Sequence, residues 1–303
     1  MKKNKFLFCI GLLLTVATIV NAQSVTWISS TEGNVWQKSK VKLQSKSEQN
    51  PVLQVDGTEN GVAFKNWGTT FNELCWDALG LLTRTEQDEI LYNIFSPQGD
   101  LRITRGRISM GANDYARSWY SCDEVEGDFE LRYFNINRDK QTIIPFIRAA
   151  QKYNPNLTFW ISPWCPPSWM KINGDYPVLS SPFNSLSEKQ NYLLYGATGG
   201  QVDENEMKLT GARDGVFPRQ LATTDFMIQD PRYLQTYADY FCRFIDAYKE
   251  QGIPIDMVMY QNEAYSYTPY PGCAWTATGT IRFNKEYLAP TLRQMHPEVK
   301  LYL

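Results

Sequence analysis

The run IDMVMYQNEAYSYTP, residues 255–269, ends an apolar strand-forming segment on an amide and a carboxylate, Asn262 and Glu263. A carboxyl at the end of a buried strand should be partly desolvated, which raises its pKa and keeps a proton available near neutrality. That suits a general acid that protonates a leaving-group oxygen, with Asn262 holding a substrate hydroxyl beside it. The other reading of Glu263 is a structural carboxylate at a strand–loop junction. Arg107, a basic residue in the apolar context LRITRGRIS, either depresses the pKa of a nearby carboxylate or forms a structural ion pair. Trp164, in the Pro-rich SPWCPPSW, either presents a sugar platform or packs beneath its loop. Glu73 and Asp114 either bind hydroxyls or cap neighbouring helices.

These residues share a position in a repeating pattern. Short strands (SVTWISS, KVKLQSK, PVLQVDG) occupy residues 24–56. From about residue 62, strands alternate with helices. VAFKNWG, LRITRGRIS, LTFWIS, IDMVMY and VKLYL read as strands. Between them, periodic stripes predict helices over 83–95, 139–151, from 231 to just before Gly252, and 281–295, the last bent or interrupted at Pro290. Thr83 and Glu86 have capping-box spacing; Asp230 and Pro231 open the clearest helix and Gly252 follows it. The polar, Gly- and Asn-rich stretch from about 173 to 229 reads as an insertion, either a wall of the site or a decorative loop.

Strict alternation of this kind predicts the first part of an α/β eight-stranded (β/α)8 TIM barrel, with active groups at the C-terminal strand ends. A doubly wound sheet is the alternative, but no G-x-G-x-x-G follows the first strand. Asn66–Gly68, Arg107, Trp164 and Asn262–Glu263 all fall at such ends, with Glu73 and Asp114 a little beyond. A retaining glycosidase needs a second carboxylate about 5 Å from the first. Glu286 and Glu298 fall on the wrong side, so the nucleophile is expected on a strand C-terminal to Leu303, in a chain read as truncated.

Composition narrows the chemistry. A single histidine, His296, read as a solvated loop residue before Pro297, argues against a Ser-His-Asp triad and His-rich metal sites. Five widely spaced cysteines follow Cys9 without a C-x-x-C, so a zinc site or disulfide framework is not indicated, though one bridge is possible. No cofactor or metal is expected, and carboxylates are left to do the work. Nine Trp, eighteen Tyr and fifteen Phe supply rings either for core packing or for stacking on sugars. The opening MKKNKFLFCIGLLLTVATIVNAQ reads as a cleavable signal peptide over 1–22, implying a secreted, periplasmic or cell-surface protein. No later segment is a candidate membrane span. Loss of three lysines with that leader makes a mildly acidic chain more acidic, a poor partner for nucleic acid.

KNWGTTFNE, RGRISMGANDY, ISPWCPPSWMKING and VMYQNEAYSY, in this order and spacing, resemble glycoside hydrolase family 30, which includes lysosomal glucosylceramidase and bacterial β-1,6-glucanases. The resemblance covers roughly residues 60–303 apart from the insertion. It implies an incomplete (β/α)8 catalytic barrel over 61–303, with the strands of 23–60 belonging to an accompanying β-sandwich. It further implies a retaining mechanism on β-linked oligo- or polysaccharides or glucosides, with Glu263 as acid/base and a nucleophilic glutamate after the seventh strand. Arg107 matches the arginine beside the nucleophile, Trp164 a pocket tryptophan, and Asn262 the asparagine that holds the 2-hydroxyl. Glu73 stands where the family has a sugar-binding aspartate. Gly68-Thr69 replaces the usual Gly-Gly, and Ala264 the proline after the acid/base. β-1,6-Glucan or a glucosylceramide-like glucoside is the expected substrate; xylan or galactan hydrolysis and non-catalytic sugar binding are the alternatives.

Overall fold

The computed structural model describes residues 24–42, 61, 64–182, 184, 186, 225–264 and 266–303. The expected leader, the strand PVLQVDG and most of the insertion lie outside these residues. The chain divides into two compact units at Ala63/Phe64.

In the first unit, β1 (Ser24–Thr31) and β2 (Asn34–Lys42) form an antiparallel hairpin. Its turn is Glu32-Gly33, with Gly33 at φ +78, a conformation glycine adopts without steric cost. β2 therefore begins six residues before the predicted KVKLQSK.

The second unit holds a five-stranded parallel sheet: β3 (Gly68–Phe71), β4 (Arg105–Ser109), β5 (Thr158–Ser162), β6 (Ile255–Met259) and β7 (Lys300–Tyr302). Spatial order follows chain order, with every neighbour parallel. A doubly wound sheet would reverse direction at a switch point, so this topology is that of the first five strands of a (β/α)8 barrel. The first of these strands differs from its predicted span. Of the described part of VAFKNWG only Gly68 belongs to it; the strand is Gly68–Phe71, and Asn72 directly caps α1 (Glu73–Gly80), a helix that the apolar pattern did not announce.

Helices follow as capping chemistry dictates. Thr83 and Glu86 bond each other's backbone N–H at the start of α2 (Arg84–Phe95). A 3-10 turn (Asp139–Gln141) leads into α3 (Ile143–Gln151). Asp230 accepts from Arg232 N–H to open α4 (Pro231–Glu250), whose Leu234, Tyr237, Phe241, Phe244, Ile245 and Tyr248 are buried. The predicted 281–295 helix starts earlier and has three parts: α5 (Ala277–Arg282), a π-helical turn (Phe283–Leu288) and α6 (Ala289–Met295). Pro290 cannot donate a backbone hydrogen bond, and the wider turn directly before it resets the ladder at that point. No described helix is long and apolar enough to cross a membrane.

His296 is buried at the end of α6, contrary to its expected solvation, with Nε2 3.5 Å from Asp246. Its backbone N–H closes the helix on Leu292, which draws the ring inward. The five described cysteines are free thiols, and only Cys75 is exposed.

The helix side of the sheet is apolar. Phe71 stacks on Phe95 at 5.7 Å and meets Phe146 of α3 edge-on at 4.8 Å. Gly106 lies under this cluster: a Cβ there would stand 2.5 Å from Phe71 Cε2 and 2.9 Å from Phe159 Cδ1. Close ring packing thus requires glycine between two cationic residues of β4. Gly106→Ala should destabilise the fold by about 1–3 kcal/mol through overpacking. Urea unfolding checks this, and an unchanged midpoint would contradict the packing argument.

Candidate active site

Alternation along the strands assigns each residue to a face. Gly106, Ile108, Phe159 and Ile161 are buried toward the helices. Arg105, Arg107 and Ser109 of β4 share the opposite face with Trp160 and Ser162 of β5. In the parallel register Arg107 pairs with Trp160 and Ser109 with Ser162. Arg105 forms an ion pair with Asp256 across the sheet.

Arg107 reaches up this face to the strand ends. Its Nε and Nη2 donate to Ser162 Oγ at 2.9 and 2.7 Å, and Nη2 donates to Asn262 Oδ1 at 2.6 Å. The guanidinium lies over the rings of Trp164 and Trp160, 4.1 and 4.9 Å from their centroids. Burial lowers its pKa to about 10, opposed by the charges of Asp114 and Glu263, so it stays cationic at neutral pH. Arg107 therefore acts on carboxylates through space and on Asn262 by direct contact.

Asn262 is fixed on two sides: its N–H donates to Pro163 O at 2.8 Å, and its Oδ1 accepts from Arg107. An amide oxygen committed to Arg107 turns the Nδ2 donors the other way, the polarity a substrate hydroxyl oxygen requires.

Glu263 is exposed, which corrects the expectation of a desolvated carboxyl. The strand stops at Met259, the buried Tyr260 and Gln261 intervene, and the chain then turns through φ +46 at Glu263. The carboxylate thus leaves the apolar wall. It still belongs to the cluster electrostatically, since its charge acts on Arg107, Asp114 and Tyr270. Asp114 is also exposed, yet its carboxyl is raised. Desolvation by the surrounding walls is the main cause; its own backbone N–H, Arg107 and a hydrogen bond with Trp164 oppose this, while the charge of Glu263 adds to it. Tyr270 is raised by burial and by the two carboxylates. A narrow surface crevice is lined by Asn262, Glu263, Ser266, Thr268, Tyr270, Pro271 and Gly272.

Two candidates occupy other roles. Trp164 is only 7% exposed, with Arg107 over its ring, so it is a packed partner of the cation rather than an open stacking platform. Glu73, 2% exposed, opens α1 and is saturated. Oε1 accepts from Arg138 Nε (2.8 Å) and Thr142 Oγ1 (3.3 Å); Oε2 accepts from Arg117 N–H (2.8 Å) and Arg138 Nη2 (2.6 Å). A carboxylate has about four acceptor positions, and here the protein fills all of them, so no position is left for sugar binding.

Residues that sequence reading missed complete the site: Trp160, Ser162, Gln261 and Tyr270. Once Arg107 is singled out, period-two alternation on β5 brings Trp160 and Ser162 to one face. Tyr270 sits in a loop with no periodic signal.

Residues 64–181 match the family described as "Glycosyl hydrolase family 30 TIM-barrel domain". Over 250 residues, 82% of this chain and 40% of the relative, it is 27% identical to "Putative glucosylceramidase 4" of Caenorhabditis elegans. It is 25% identical to "Endo-1,6-beta-D-glucanase neg1" of Aspergillus fumigatus, covering 81% of this chain and 45% of that protein. Among solved structures, SrfJ from Salmonella typhimurium superposes with a TM-score of 0.61 at 19% identity, over 91% of this chain and 52% of that one. The endo-beta1,6-glucanase BT3312 gives 0.58 at 22% identity, over 82% and 45%. The chain thus spans less than half the length of these two curated relatives.

Burial pushes the Glu73 pKa up, but the hydrogen bonds and charge of Arg138, with Arg117 N–H and Thr142, outweigh it and leave a net lowering from 4.5. Its stabilisation is therefore present above the unfolded value and lost as pH falls through the folded one. Glu73→Gln should cost about 2–3 kcal/mol at pH 7, and the deficit should shrink as the pH drops below 4.5. Urea melts of both proteins across this range check it; a deficit constant with pH would contradict the assignment.

Proposed function

We infer that this chain, which belongs to glycosyl hydrolase family 30, forms the first part of the catalytic barrel of an exported retaining β-glycosidase that acts on β-glucosides. One observation carries the reading. The carboxylate in the loop after the fourth barrel strand interacts with a cluster in which a tryptophan-stacked arginine fixes the neighbouring asparagine.

Glu263 is the proposed general acid and base. It protonates the glycosidic oxygen as the aglycone departs, then removes a proton from the water that releases the sugar. The exposed carboxyl is covered when a sugar binds against it, so the substrate supplies the exclusion of water that the free chain lacks. Asn262 offers Nδ2 donors to a hydroxyl on the reacting ring, and Arg107 holds the amide in that orientation. Asp114 accepts from further hydroxyls. The opposing nucleophile is proposed to be a glutamate in a segment beyond Leu303, since Glu73 is saturated and Asp114 lies in the loop several residues past β4. The β-glucoside assignment, to β-1,6-glucan or a glucosylceramide-like substrate, is supported by relatives whose names carry both activities. Export rests on the leader-like residues 1–22.

Full-length protein should release glucose from β-glucosides with retention, followed by NMR of the first-formed anomer. Glu263→Gln should lose about 10²–10⁴-fold in kcat/KM on substrates with poor leaving groups and much less on activated aryl glycosides. Inversion of the anomeric centre, or equal losses on both substrate types, would refute the assignment. Preferential turnover of xylan or galactan would keep the mechanism and change the substrate.

A further inference from the structure

We propose that Gln261 is a positioning residue: its buried carboxamide holds the peptide plane between Asn262 and Glu263, and so sets the direction in which the Glu263 carboxylate leaves the chain. The inference rests on the acid/base reading of Glu263.

Gln261 is 6% exposed, and its side chain bonds three segments that converge on the site. Nε2 donates to Trp164 O at 2.7 Å and to Asn262 O at 2.9 Å, using both amide protons. Oε1 accepts from the indole N–H of Trp275, a fully buried ring, at 3.3 Å. One amide therefore joins the loop after β5, the Asn262-Glu263 turn and the segment leading to α5.

The peptide it holds carries the strain. Glu263 sits at φ +46, in the left-handed region that side-chain-bearing residues avoid. Three successive peptide planes around it each have a bond. Asn262 N–H donates to Pro163 O, Asn262 O accepts from Gln261, and Glu263 O accepts from Ser266 N–H at 2.8 Å. The first and third bonds are backbone to backbone. The middle one depends on the Gln261 side chain. Rotation of that plane changes Asn262 ψ and Glu263 φ together, which is the movement that would relieve the positive φ. Without Gln261 the plane is free to turn, and the carboxylate is re-aimed while Asn262 stays anchored through Pro163 and Arg107.

The test uses full-length protein with Gln261→Met, similar in length but unable to make these bonds, and Gln261→Glu, equal in shape but lacking both N–H donors when ionised. Turnover of dinitrophenyl β-glucoside, which needs little acid assistance, is compared with that of phenyl β-glucoside, which needs more. The expected result is a loss in kcat/KM, which reports the glycosylation step and not the later release of the sugar, at least about tenfold greater on the phenyl substrate in both variants. A residue that only packs the core would lower both rates alike, and that outcome overturns the proposal. If Gln261→Met does not fold, the Gln261→Glu ratio decides alone. Should Glu263→Gln itself show no leaving-group dependence, the acid assignment falls. Should Glu263→Gln show it and the Gln261 variants not, the positioning role alone falls.

Discussion

The strand ends are organised around one partly buried cation. A guanidinium withdrawn from water must recover its lost hydration from acceptors and π faces, and Arg107 finds both. Ser162 supplies an oxygen from β5, Asn262 another from the loop after β6, and Trp160 and Trp164 supply the rings. The partners come from β5 with the loop that follows it and from the loop after β6, so satisfying the cation also sets the relative heights of β4, β5 and β6. Arg107 in turn orients the amide of Asn262 and contributes positive charge to Asp114 and Glu263. Replacement by lysine would keep a charge but lose the planar group that stacks on indole and bonds through two nitrogens at once.

The loops above these strands are held by interactions whose logic is local. In WMKING, Lys171 is buried and its three donors end on the carbonyls of Asp175, Tyr176 and Pro177, at 2.6, 2.7 and 3.1 Å. That curls the loop so that Tyr176 O receives Gly272 N–H and Tyr176 OH reaches Glu124. Trp169 donates its indole N–H to Asp123 O and packs between Phe129 and Tyr233. The sequence run most specific to the family resemblance is thus largely a loop-folding device. Its tryptophans and lysine are spent on architecture, and the walls of the crevice beyond β6 depend on it.

How far the fold could be read from sequence follows from which forces are local. The Thr83–Glu86 box and the Asp230-Pro231 start needed only neighbours along the chain, and both helices lie where those residues place them. The sheet order also followed, because alternating strands and helices leave few ways to build a parallel sheet. Errors arose where a distant partner decides. VAFKNWG has a strand's composition, but pairing with β4 begins only at Gly68. His296 has a loop's context, but the closing turn of α6 draws it inside. In the site, Arg107 and Asn262 were recognisable as residue types, whereas the direct bond between them crosses 155 positions and required the register of the whole sheet.

The carboxylates differ in how completely the protein satisfies them, and that difference, more than burial, underlies the proposed roles. Sequence reasoning looked for a buried acid, and the structure contains several. Glu73 has every acceptor position filled by Arg138, Arg117 and Thr142. Asp139 is fully enclosed, pushed up to about 6 by burial, and bonded by the hydroxyls of Tyr120 and Tyr248 at 2.7 and 2.6 Å. These acids are surrounded by donors that never leave, so they hold elements together and cannot be reached by substrate. Asp114 and Glu263 have the opposite character: they are exposed, their charges act on Arg107, and they stand in the loops just beyond strand ends. A transferable proton requires an oxygen that a substrate can reach, and reach is lost once the protein satisfies the group itself. Incomplete satisfaction within an ordered charge cluster, rather than depth, is therefore what distinguishes the carboxylates proposed for chemistry from the structural ones.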